Sequence, residues 1–91
     1  MHDLLHEYWA NDEGGDFGPV SERRDQLRPS LVPNAHKVFE LRASIWNEAM
    51  RLYNERLDYG EYVPPDGVED HVYTDDEAAK QEAYLAVRNV R

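Results

Sequence analysis

From Val38 to Leu57 the chain repeats apolar side chains at helical spacing, with no glycine or proline to interrupt them. Val38, Leu41, Ile45, Ala49 and Leu52 form one stripe, and Phe39, Trp46, Met50, Tyr53 and Leu57 form a second beside it. Two adjacent stripes make an apolar face wider than about 100°, which must be covered on two sides. With Asn34 as N-cap, the pattern predicts a long central helix to which the remaining elements are fitted.

Those elements are short. Leu4, Leu5, Tyr8 and Trp9 read as the narrow stripe of a helix from His2 to Ala10, stopped by Gly14-Gly15. The run DEGGDFGP from Asp12 to Pro19 is loop chemistry, pinned to the core by Phe17. Ser21 caps a short helix to Gln26 or Leu27, and Arg28-Pro29 and Val32-Pro33 impose an extended linker over 29–33, since a residue before proline is steered away from the helical region. Between Tyr59 and Tyr73 the pairs Pro64-Pro65 and Asp66-Gly67 signal a turn within an ordered loop; the alternative is an edge hairpin of Glu61 to Val63 with Val68 to Tyr73. Thr74 and Glu77 make a capping box for a last helix, with Ala79, Ala83, Ala86, Val87 and Val90 along one stripe. The fold class expected is therefore mainly α: a single small helical domain over 1–91, with three or four helices, a long central one, and an ordered acidic loop before the C-terminal helix.

A chain of 91 residues buries only a little over about 60% of its unfolded surface, so a second copy is a natural source of further stability. With no cysteine, neither disulfides nor thiolate metal sites are available. No signal-peptide pattern and no membrane-length apolar run is present, and the expectation is a cytoplasmic protein.

The charge is segregated. Of nineteen Asp and Glu, Asp3, Glu7, Asp12, Glu13 and Asp16 lie in one stretch, and Asp58, Glu61, Asp66, Glu69, Asp70, Asp75, Asp76 and Glu77 in another, neither holding a Lys or Arg. The ten Lys and Arg fall outside them, and the net charge is −9. Such a field repels nucleic acid and anionic membranes and favours a basic protein surface.

No catalytic pattern emerges. His2 and His6 stand four apart near Asp3 and Glu7, but no second motif completes a metal site. His71 beside Glu69 and Asp70 lacks any indication of a substrate pocket, and the second acidic stretch lacks the alternating ligands of a calcium loop. Ser21, Ser30 and Ser44 are unlike a nucleophile elbow. Neither an enzyme nor a cofactor is expected.

The leading expectation is an acidic, self-associating binding module that meets a basic protein through Asp58, Tyr59, Glu61, Tyr62, Asp66, Glu69, Asp70, Tyr73, Asp75 and Asp76. In its sharpest form it inhibits a nucleic-acid-binding protein by presenting carboxylates where phosphates would lie. Two alternatives stand beside it. One is an oligomeric nucleotide-binding protein using Tyr8, Trp9, Arg23, Arg24 and Arg28, because arginine with aromatics stacks and charge-pairs such ligands; the same arginines equally suit pairing with the first acidic stretch. The other is a structural assembly subunit, joined through the C-terminal helix and the wide central face.

Overall fold

A computed structural model describes residues 3–64 and 70–88. The elements in order are β1 (Leu4–Ala10), β2 (Gly15–Pro19), α1 (Glu22–Leu31), β3 (His36–Ala43), α2 (Trp46–Arg56) and α3 (Asp75–Val87). The strands form one antiparallel sheet in the order β2-β1-β3. The fold is α+β, which overturns the mainly helical expectation.

The N-terminal segment is the central strand. Leu4, Leu5, His6, Glu7 and Trp9 are all buried, because both faces of β1 are covered. A strand buried on both faces shows no polar alternation, so the run LLHEYWA imitates a helix stripe. The expected glycine loop divides into a turn and a strand. Asn11 closes the turn by accepting from the amides of Glu13 and Gly14, and Gly15–Pro19 then pairs back onto β1, Phe17 opposite Tyr8.

The long central helix is instead a strand followed by a helix. Phe39, Leu41 and Ala43 turn one way from β3 while Glu40 and Arg42 are exposed, the alternation of a half-covered strand. Asn34 does not cap a helix; it sits at φ 58°, a left-handed turn position that Asn tolerates well. At Ile45 the chain turns into α2, whose first amide, on Trp46, is satisfied by the backbone oxygen of His71 at 3.0 Å. No side chain caps this helix, so the sequence carried no start signal there.

α1 begins at Ser21 as expected, the hydroxyl accepting from the Arg24 amide at 3.1 Å. It runs through Pro29 to Leu31, so the helix occupies much of the expected linker. Pro29 forfeits one helical hydrogen bond, and Arg28 is held helical in spite of it by its guanidinium, which bonds Asp25 and lies 4.5 Å from the centre of the Trp9 ring. α3 carries its expected capping box, with Glu77 N–H donating to Thr74 and Thr74 N–H to Glu77. Its alanine stripe does not face the sheet, however: Ala79, Ala83, Ala86 and Val87 are exposed, and Gln81 is the buried residue.

The sheet separates two chemistries. On one face His6 and Tyr8 of β1 meet Phe17, Phe39, Trp46, Tyr53 and Tyr73 in a continuous group of rings with centroids 4.5–6.4 Å apart. On the other, Glu7 and Trp9 meet ionic side chains from α1 and α3. Gln81 joins α3 to the sheet by acting as a surrogate peptide group: its oxygen accepts from Leu5 N–H, and its nitrogen donates to the backbone oxygens of Leu5 and Val20. Among the described residues no helix is long and apolar enough to cross a membrane.

Candidate functional site

The two acidic stretches differ in how much of their acid is internal: Asp3, Asp12 and Glu13 of the first are exposed, but Glu7 and Asp16 are drawn inside. In the first, Glu7 is 4% exposed and takes two bonds from Arg88 and one from the Trp9 indole N–H. Arg88 continues to Asp25, which also accepts from Arg28 and Tyr84. Asp16 receives Arg24 at 2.6 Å and lies 3.5 Å from Arg28. Carboxylates and arginines thus alternate from β1 through α3 and α1 to β2. Burial pushes the carboxyls of Glu7 and Asp25 upward, but hydrogen bonds from Arg88, with Trp9 at Glu7 and with Tyr84 and Arg28 at Asp25, hold both below their ordinary range. The same bonds raise Arg88.

The second stretch is largely spread on the surface. Asp58 follows α2 at φ 57°, a left-handed residue that ends the helix. The chain then returns along α2, a helix of eleven residues and roughly 16 Å, to reach its first turn. There Asn47 holds both limbs of the return: its oxygen accepts from the Tyr62 hydroxyl at 3.2 Å and its nitrogen donates to Asp70. Asp58, Glu61, Asp70, Asp75 and Asp76 are exposed. Glu77 is drawn in by the cap and by His71, both carboxylate oxygens lying 3.0 Å from the imidazole, and its pKa is lowered, chiefly by the Thr74 amide. Apolar surface is interspersed with this acid, with Tyr59, Val63 and Val72 exposed by 66%, 76% and 46%. The Tyr59 ring stands edge-on to Tyr53.

Tyr73 is not part of that surface. It is 5% exposed, its hydroxyl lies 2.7 Å from His6 Nε2, and burial pushes its pKa up to about 12. Asp66 and Glu69 lie outside the described residues, as does His2 of the candidate metal pair. His6 itself is fully enclosed and bonded at both ring nitrogens. Among the described residues, no group of three or more metal-ligating side chains is assembled.

The alternative ligand set does not converge. Tyr8 lies on the aromatic face and Trp9 on the ionic one. Arg24 and Arg28 brace the sheet, as pairing with the first acidic stretch requires, while Arg23 is exposed beside a groove of about 900 Å³ between α1 and α3. That groove has an apolar floor of Leu4 and Val20, and its rim mixes Glu22 and Arg23 with Glu77 and Lys80. Asn47 was not singled out from sequence; its position one residue inside α2 is meaningful only once the helix start is known. No family model, no curated protein and no solved structure matches this chain.

Proposed function

We propose that this chain is a non-enzymatic binding module, acting in the cytoplasm, whose acidic stretch from Asp58 to Glu77 engages a basic protein surface. The observation that carries this reading is the division of the acid. Glu7 and Asp16 are consumed by internal arginines, leaving Asp3, Asp12 and Glu13 as the exposed acid of the first stretch, whereas in the second Asp58, Glu61, Asp70 and Asp76 are exposed together with the apolar surface of Tyr59 and Val63. Exposed carboxylates around apolar contacts suit a basic partner, with charge setting the approach and the apolar groups supplying contact area. Inhibition of a nucleic-acid-binding protein is the sharpest form, because such a partner already carries a surface shaped for regularly spaced negative charge.

The test removes charge without removing shape. Asp58→Asn, Glu61→Gln, Asp70→Asn and Asp76→Asn are combined; Asn is at home at the left-handed position 58. The partner is taken from host extract as the protein released by raising salt, purified, and its association measured by stopped flow. The combined variant should associate at least about tenfold more slowly at low salt, with an unchanged circular dichroism spectrum, and duplex DNA should compete with the wild type. An undiminished association rate, or a complex indifferent to salt, overturns the reading.

Self-association is a second proposal, favoured by the exposure of Ala79, Ala83, Ala86 and Val87 on α3. Small side chains in a row allow close helix approach. A concentration-dependent mass in sedimentation equilibrium, abolished by Ala83→Glu, is the expected result.

A further inference from the structure

Among the described residues His6 is the one large side chain buried completely, and it lies within the aromatic face. Its Nδ1 lies 2.9 Å from the Leu4 carbonyl oxygen, which can only accept, so the proton is on Nδ1. Nε2 is then bare, and accepts from the Tyr73 hydroxyl at 2.7 Å. Once Nε2 is protonated it must donate to the Tyr73 oxygen instead, and the hydroxyl proton loses the acceptor it has while the imidazole is neutral.

A second proton would arrive in unfavourable surroundings. From β2 the ring meets Phe17, from α2 Trp46 and from the segment before α3 Tyr73, while its partner across β3 is Leu41. From α1 the charge that acts on the ring, Arg24, is of like sign. His71 and Glu77 stand behind the Tyr73 ring. No carboxylate bonds the imidazole among the described residues, and burial holds its pKa down to about 4.

The two halves of the pair are held unequally. His6 belongs to the central strand, paired on both sides. Tyr73 belongs to a short segment attached to α2 and the residues before it by its own amide on Ser44 and the His71 oxygen on Trp46, the two bonds that make the bridge between Ile45 and Val72, and by Asp70, which accepts from Asn47. Strain at the contact is therefore relieved by the segment, not by the strand.

We propose that the His6–Tyr73 contact is an acid-sensitive latch, which holds residues 70–74 on the sheet and releases them when His6 is protonated. The inference rests on the binding reading only for its consequence: this segment carries Asp70 and leads into Asp75 and Asp76, so release would disperse the acidic surface. Below pH 6.5, the ordinary value for histidine, the open form gains about tenfold per pH unit until the closed-state value of about 4 is reached.

Native-state hydrogen exchange on the isolated chain tests the latch without any partner, so its outcome is separate from that of the binding reading. Between pH 7 and pH 4.5, after correction for intrinsic rates, protection of the Tyr73 and Trp46 amides should fall at least about tenfold while the ladder amides of His6 and Tyr8 hold. His6→Gln, which still accepts from Tyr73, should abolish the pH dependence, and His71→Gln should leave it. If His6→Gln does not fold, the wild-type imidazole ¹⁵N shifts decide: a bare Nε2 at pH 7, protonated in step with segment opening, supports the latch. Loss of ladder protection in parallel, pH-independent protection at Tyr73 and Trp46, or a dependence that survives His6→Gln overturns it.

Discussion

Arg88 and Glu7, eighty-one positions apart in sequence, meet through two parallel hydrogen bonds of 2.6 and 2.9 Å. This clasp joins the end of α3 to the central strand, and through Asp25 it also joins α1. Removing one partner of a buried pair leaves the other charge uncompensated, which is costly even where the intact pair gives little net stability. Arg88→Ala should lower the free energy of unfolding by about 3–5 kcal/mol, read by urea denaturation. Arg88→Ala combined with Glu7→Leu should lose less than the sum of the single changes, because the apolar replacement removes the stranded carboxylate.

The same clasp gives the acid response a sign. Folded-state pKa values of Glu7 and Asp25 lie below their unfolded values of 4.5 and 3.8. Their stabilisation is therefore fully present above those values, and is lost as the pH falls from about 4.5 through the lower folded values. Urea midpoints taken from pH 5 to pH 2.5 should fall steeply for the wild type. Arg88→Ala, which strips the bonds holding these carboxyls down, should flatten that limb.

Gln81 is irreplaceable by its isostere. Gln81→Ala leaves Leu5 N–H and the Val20 oxygen without their partner and should cost about 2–4 kcal/mol. Gln81→Glu keeps the shape but cannot donate to Leu5 and Val20 while ionised, so it should be worse at pH 7 than at pH 5, where protonation restores a donor. Denaturation midpoints at the two pH values check the order.

Two glycines close in sequence should behave differently. A Cβ at Gly18 would collide with the Arg24 guanidinium, which bonds Asp16 and the Phe17 oxygen, whereas a Cβ at Gly14 meets nothing within 4 Å. Gly18→Ala should cost about 1–3 kcal/mol and Gly14→Ala less than about 0.5 kcal/mol, measured by thermal and urea unfolding.

The sequence is legible where a side chain signals its own role. Ser21 and the Thr74–Glu77 box mark helix starts by bonding backbone within three residues, and such local chemistry is legible without a fold. It is opaque where the partner is remote. Phe39, Leu41 and Ala43 alternate as a strand should, but the helical period of α2 runs on from them without a break, because the cap at Trp46 comes from the backbone of His71. The exposed acid is legible as charge: Asp58, Glu61, Asp70, Asp75 and Asp76 are on the surface. Tyr73 was placed with them by proximity in sequence; its burial follows from His6, which no spacing rule connects to it.

β2 forms one rim of the sheet. Strand alternation turns the backbone groups of Asp16 and Gly18 toward β1 and those of Phe17 and Pro19 outward. At Pro19 there is no N–H to offer, and at Phe17 the outward oxygen is already taken by Arg24. A foreign strand arriving along this side finds neither a donor at one position nor a vacant acceptor at the next. The arginine that neutralises Asp16 thus also works against strand-by-strand polymerisation, so that a sheet of only three strands stays finite on this side.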